Sequence, residues 1–374
     1  MAIHVPRRVV LDTSIINKMA HDWVPGSPPD SLDKLLKRFR SQEWTLLSSA
    51  HHLIEILQHD NQAVREKRLQ MLQTLPQIGW IRSTVPDSDQ HLGIMADIHY
   101  QEACLLLDDR ARSFAEIKEC LWDDIAVWLS PAQSFSKEVL DNLRAMAPEH
   151  LARSRDAATQ VKGLDSLTSS IADSNLDTPF PTSSVEECVD AAVLSYQAAL
   201  VACKDKALHD TAIQEKELAD LLSGCVRKAR EIGSGATMRQ VLCAAFGIPA
   251  AWERNCVTID QLSDTISFQG KLSSIFAHRK AGKKWEASTL QANTIPSYVV
   301  VTGLRNAQLS GQQRTSGSDL TDAFSAPLSL YSDILVVDNR TREFFRQRWV
   351  DKSGLRGVIG DVLSIVHYEE LLAI

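Results

Sequence analysis

Residues 334–339, Ile-Leu-Val-Val-Asp-Asn, decide the fold. Four consecutive apolar residues ended by a turn-forming pair read as a buried strand. A helical pattern from Arg340 to Trp349 follows them. The same punctuation stands near the start of the chain, where Arg8–Leu11 run into Asp12-Thr13-Ser14. Between the two lie further alternations. Trp44–Ser48 (WTLLS) predicts a strand, and Ala50–His59 carries Leu53, Ile54 and Leu57 at helical spacing. A charged helix is expected over Val64–Leu72 and a third strand at Ile78–Ile81 (IGWI). Towards the C-terminus, Pro296 suits the first turn of a helix reaching Gln308, and 309–316 are polar and loop-like. Ser318 can cap a helix over Asp319–Leu330, and Val362–Val366 predicts the last strand. Strands alternating with helices imply a parallel sheet.

Residues 88–294 have a different texture, with long amphipathic patterns and few strand signals. Ser184-x-x-Glu187 has the form of a capping box, followed by Val189, Ala192, Val193, Tyr196, Leu200 and Cys203 along one face. Residues 163–184, rich in Ser, Thr, Asp and Pro, read as a connection. The expected architecture is one α/β domain built from both ends, 1–87 and 295–374, with a mostly helical insertion over 88–294.

Bulk properties narrow the function classes. The 374 residues suffice for a large core, and 44% hydrophobic with 23% charged residues is an ordinary globular balance. A net charge of -7 disfavours coating nucleic acid through overall charge, yet leaves room for a local basic groove. Seven cysteines without a CxxC pair argue against a disulfide framework or a zinc ribbon. No run approaches the ~20 apolar residues of a membrane span, and the start, MAIHVPRRVVLD, lacks the apolar core of a signal peptide. A cytoplasmic location without membrane attachment is expected.

Four acids stand at informative places: Asp12 and Asp338 at strand ends, Glu55 on the helix after the second strand, and Asp322 in the first turns of a helix. Ligands of open α/β sheets gather beyond the carboxyl ends of strands, where strand order reverses. Clustered carboxylates raise one another's pKa unless cations intervene, and hard oxygen ligands select Mg²⁺ or Mn²⁺. Each acid also has a plain structural role open to it. Asp12 can cap a turn, Asp319 and Asp322 can complement a helix dipole, Asp338 can cap the helix at Arg340, and Glu55 can be a solvated edge. Only their joint arrangement favours the cluster.

These motifs resemble a known family. VVLDTSIINKM (9–19) is similar to the opening of PIN-like domains, SSAHHLIEIL (48–57) to the helix supplying their second acid, and GSDLTDAFSAPLSLYSDILVVDNRTREFF (317–345) to their C-terminal half. The resemblance covers the two ends of the chain and implies a three-layer fold with a central parallel sheet. It implies a Mg²⁺- or Mn²⁺-dependent ribonuclease of the toxin, RNA-processing or phage-defence kind. Asp12, Glu55, Asp322 and Asp338 would be its acids, Asp319 an auxiliary ligand, and Ser14 a hydroxyl beside the metal. Two departures are visible: Ser325 stands where some members carry His, and Pro327 interrupts the helix after Asp322.

Two basic segments complete the reading. HRKAGKKW (278–285) offers Arg279, Lys280, Lys283 and Lys284 to phosphates and Trp285 to a base, or else it is a solvated helix end. Arg340 and Arg342 follow Asp338 and would flank the site, or else form an exposed face over Phe344, Phe345 and Trp349. His51 and Glu55 at i, i+4 lack a second histidine pair to make a zinc site, and no P-loop or GxSxG elbow occurs. The expected activity is phosphodiester hydrolysis on single-stranded RNA, with a regulatory protein partner compatible with it. The rival is a catalytically silent PIN-like scaffold that binds nucleic acid or protein.

Overall fold

The computed structural model describes residues 5–85, 92–144, 176–180, 223–248, 258–279, 290–310 and 323–374. The chain divides into two compact units, one of Met1–Ser154, His278–Gly282 and Asn293–Ile374, the other of Arg155–Ala277 and Lys283–Ala292.

In the first unit the short apolar runs become strands: β1 (Arg7–Val10), β2 (Trp44–Ser48), β3 (Ile78–Ile81), β4 (Ala126–Leu129), β5 (Ile334–Val337) and β6 (Asp361–Ser364). They form one sheet in the order β4-β3-β2-β1-β5-β6. Every pair is parallel except β3 with β4. Side chains alternate between the faces of a strand, and both faces are buried. Val9, Leu46, Ile78, Trp80, Ile334 and Val336 enter one core, while Val10, Leu47, Ile81, Leu335 and Val337 enter the other. Strands buried on both sides read as continuous apolar runs, which is why these stretches stand out in the sequence.

Helices cover both faces. The first core receives Ile15, Ile16 and Met19 of α1 (Thr13–Asp22), Leu32, Leu35, Leu36 and Phe39 of α2 (Asp30–Arg40), Leu53 and Leu57 of α3 (Ala50–Leu57) and Leu69 and Leu72 of α4 (Gln62–Leu72). The second receives Ile98 and Leu105 of α5 (Met95–Leu107), Ile117 and Leu121 of α6 (Phe114–Leu121), Val300 and Leu304 of α7 (Pro296–Ser310), and Phe344 and Phe345 of α8 (Asn339–Phe345). The result is a three-layer α/β/α arrangement around a mostly parallel sheet.

Three details depart from the sequence reading. β4 lies inside the span read as a helical insertion and extends the sheet, and residues up to Ser154 cluster with the sheet unit. A four-residue apolar run cannot be distinguished from a buried piece of helix by periodicity. Its place is fixed by Gly79, where an added Cβ would overlap the Trp128 ring of β4. Next, of the helix expected over Asp319–Leu330, residues 319–322 lie outside the described residues, 323–325 are α-helical, and Ala326–Leu330 tighten into a 3-10 segment. Pro327 has no N–H for an α-helical bond and its ring crowds the preceding turn. Lastly, the pattern at Arg340–Trp349 splits into α8 and a short helix Trp349–Lys352.

Among its described residues the second unit is mostly helical. Residues 223–232 and helix Met238–Ala245 pack Cys225, Ala229, Ala236 and Val241 together with Phe180. Thr237 and Gln240 form a reciprocal capping box at the start of the second of these helices. Helix Ile259–Arg279 is the longest of the described helices. The capping box read at Ser184 lies outside the described residues. No described helix is long and apolar enough to cross a membrane.

Candidate functional site

β1 and β5 are parallel neighbours with Val9 opposite Ile334 and Val10 opposite Leu335. The backbone N–H of Asp12 donates to the Val336 carbonyl at 3.1 Å, continuing this pairing past the end of β1. Asp12 and Asp338 therefore leave the sheet side by side at the same end. β1 connects to β2 on one side while β5 and β6 lie on the other, so strand order reverses between them. This is the switch point at which open α/β sheets form ligand sites.

Both aspartates cap the helix that follows. Asp12 Oδ1 accepts from the Ser14 N–H at 2.6 Å at the start of α1. Asp338 Oδ1 accepts from the Thr341 N–H at 2.6 Å at the start of α8. Capping engages one oxygen of each carboxylate and fixes its direction. Among the described residues the second oxygen takes no hydrogen bond. Capping and ligation are thus compatible in one side chain.

Glu55 joins from α3. Its Oε2 accepts from the Thr13 hydroxyl at 2.6 Å, which ties it to the residue after Asp12. Burial pushes its pKa up, the Thr13 hydrogen bond opposes this, the Asp12 carboxylate pushes further up, and Arg68 opposes. A half-buried Glu55 whose charge is disfavoured by a neighbouring carboxylate belongs to a donor set that a cation would relieve. All the donors are oxygens, the chemistry of a hard divalent ion.

His52 was missed as a site residue, because on a helix it differs from His51 only by which way it faces. The structure separates them. His51 stacks on Phe324 at 4.4 Å between ring centres. His52 is buried within electrostatic reach of Asp12, and burial lowers its pKa to about 4 against the pull of that carboxylate. The Ser49 N–H donates to its Nδ1 at 3.2 Å, so the ring proton sits on Nε2, which faces Ser325 Oγ at 3.4 Å. A neutral His52 with both nitrogens occupied is a positioning residue for this loop, not a metal ligand. Ser325, the departure noted above, is its partner.

The remaining predicted residues divide as follows. Ser14 is exposed beside Asp12. Arg340 lies over the Phe344 ring at 5.7 Å, and Arg342 pairs with Glu343 at 2.8 Å. Asp319, Asp322, Lys280, Lys283 and Lys284 lie outside the described residues, as does the side chain of Arg279. Among the described residues no group of three or more His, Cys, Asp or Glu side chains is placed to hold a metal ion. Of the residues expected as ligands, Asp12 and Asp338 leave the sheet side by side, and Glu55 is bonded to Thr13. No protein-family model, curated protein or solved structure matches the chain.

Proposed function

We propose that the chain is a divalent-metal-dependent nuclease with a PIN-like domain, acting on single-stranded RNA. The observation that supports this reading is the pairing of Asp12 and Asp338 at the reversal of strand order, with Glu55 bonded to Thr13 beside them. Phe324 and Ser325, two and three residues after Asp322 in sequence, sit against His51 and His52 of the helix that carries Glu55.

In this reading Asp12, Asp338 and Asp322 hold the cation, with Asp319 as auxiliary, and Glu55 borders it. A bound Mg²⁺ or Mn²⁺ supplies positive charge for the phosphate and makes water an effective nucleophile at neutral pH. The chain's own residues do the positioning. The Ser14 and Thr341 N–H groups orient the two aspartates, Thr13 holds Glu55, and His52 stays neutral between Ser49 and Ser325. The rival reading, a silent scaffold for nucleic acid or protein, is favoured by the capping roles of both aspartates.

Incubating labelled single-stranded RNA and DNA with Mg²⁺, Mn²⁺ or EDTA separates the two. Metal-dependent cleavage that disappears in Asp12→Asn and Asp338→Asn is expected. Full cleavage by well-folded Asp12→Asn protein would sink the nuclease assignment.

A further inference from the structure

A cleft of about 430 Å³ opens between α1 and α4, lined by Ser14, Asn17, Lys18, Ala20, His21, Val64, Lys67 and Arg68. Its size lies in the range of roughly 300–1,000 Å³ typical of small-ligand sites. Ser14 joins it to Asp12, whose carboxylate accepts the Ser14 N–H.

The cleft collects three cations, each with one acid within electrostatic reach but in no ion pair among the described residues: Arg68 with Glu55, Lys67 with Asp22 and Lys18 with Glu370. Arg68 is only 7% exposed, and burial lowers its pKa against the pull of Glu55. Glu55, the acid that acts on it, is itself engaged by Thr13. An anion seated in the cleft would offset the partial desolvation of Arg68. Lys67 spends one donor on the His21 carbonyl at 2.5 Å and Lys18 one on the Val366 carbonyl, leaving two N–H groups on each ammonium. Other acids nearby are occupied. Asp22 holds His21 and Tyr368, Glu66 holds Gln62, and Glu370 holds the backbone at Val366 and His367. Asn17 Oδ1 is buried with no donor, an acceptor that a ribose hydroxyl or a base amine would satisfy. Val64, Ala20 and the lysine stems give an apolar floor for a ribose or base.

We infer that this cleft is a subsite for one nucleotide of a single strand, its backbone phosphate held by Arg68, Lys67 and Lys18. The inference rests on the nuclease reading for its substrate and extends the strand's path from the acids at Asp12 across α1 to α4. It also answers how a chain of net charge -7 holds a polyanion: the cations are local and partly desolvated, where each counts for more.

The test is fluorescence anisotropy of a labelled 12-nucleotide single-stranded RNA with the full chain, at low salt in EDTA. Binding is then measured without cleavage and without the acids' cation. Arg68→Gln and Lys67→Gln are each expected to weaken binding about five-fold and to lower the salt slope by about 0.7, one phosphate contact on a single strand. Lys352→Gln, at the far end of the chain, is the control for general charge and should bind as the unmodified protein does. Wild-type affinity and slope in folded Arg68→Gln and Lys67→Gln would overturn the subsite. So would losses no larger than the control's, or no RNA binding by the unmodified chain. If Arg68→Gln does not fold, the half-buried Lys67 decides alone. Cleavage by Asp12→Asn alongside weakened binding in the cleft variants would remove the nuclease reading and keep the subsite. The opposite pair of results would remove only the subsite.

Discussion

Asp12 and Asp338 each serve a helix with one oxygen and, among the described residues, leave the other unengaged, so substitutions there separate structure from chemistry. Asparagine caps as well as aspartate. Asp12→Asn should therefore unfold at or slightly above the wild-type temperature, because repulsion with Glu55 falls. Asp12→Ala should lose roughly 1 kcal/mol in denaturant titration through the missing cap. Both should lose cleavage, and a stable but active Asp12→Asn would mark the carboxylate as a cap only. His52 carries a separate signature. Its folded-state pKa of about 4 lies below the ordinary 6.5, so the unfolded chain binds the extra proton. Stability from this residue is present above pH 6.5 and is lost as pH falls through 4, roughly 3 kcal/mol in all. His52→Asn, measured by denaturation in EDTA from pH 7 to 4, should show a shallower acid loss. An unchanged slope would place the acid sensitivity elsewhere.

At the scale of elements, a buried carboxylate holds α5 to α7. Glu102 is fully buried and accepts from Tyr331 Oη at 2.7 Å, from the Ser297 N–H at 3.0 Å and from the Ser297 hydroxyl at 2.5 Å. Ser297 Oγ also lies 2.5 Å from His99 Nδ1. Burial lifts the Glu102 pKa to about 7 from 4.5 against these hydrogen bonds. A raised folded-state pKa stabilises below the unfolded value and loses that contribution as pH rises. The Glu102 contribution should thus fall by on the order of 3 kcal/mol between pH 4.5 and 7, opposite in sign to that of His52 over the same window. Glu102→Gln should flatten that limb while Glu55, also shifted upward, keeps its share. The same steepness in wild type and Glu102→Gln would exclude Glu102 as its source. The β3–β4 pair gives a purely steric prediction. Gly79→Ala drives a methyl into Trp128 and should cost roughly 1–3 kcal/mol, read from the denaturation midpoint. A shift near zero would mean that β4 can slide aside.

For the whole molecule, the two faces of the sheet make two separate cores, and their energetics should add. Leu46 lies in one core and Leu335 in the other, both buried. Each change to Ala should cost roughly 2–5 kcal/mol, and the double variant should equal their sum within about 0.5 kcal/mol. A larger discrepancy in guanidinium titrations would show that the layers are coupled through the strands. Two buried faces also explain what was legible in the sequence. Strands at 7–10, 44–48, 78–81 and 334–337 announce themselves as apolar runs, and the acids that end two of them are visible at once. Local chemistry was sufficient there, because a run closed by Asp-Thr-Ser or Asp-Asn states both the strand and its stop. The helix Asp30–Arg40, with Leu32, Leu35, Leu36 and Phe39 in the core, was readable by its period but went unread. Pairing over long separations was not legible. That β4 turns antiparallel onto Gly79, that β5 lies beside β1, that His52 comes within electrostatic reach of Asp12, and that Arg68 and Asn17 line one cleft depend on contacts between residues far apart in the chain. Residue types and spacing determine which segments become strands and helices, because the hydrophobic period and the caps act locally. Tertiary packing alone decided which polar side chains became neighbours, because burial and electrostatics depend on distance in space and not on distance along the chain.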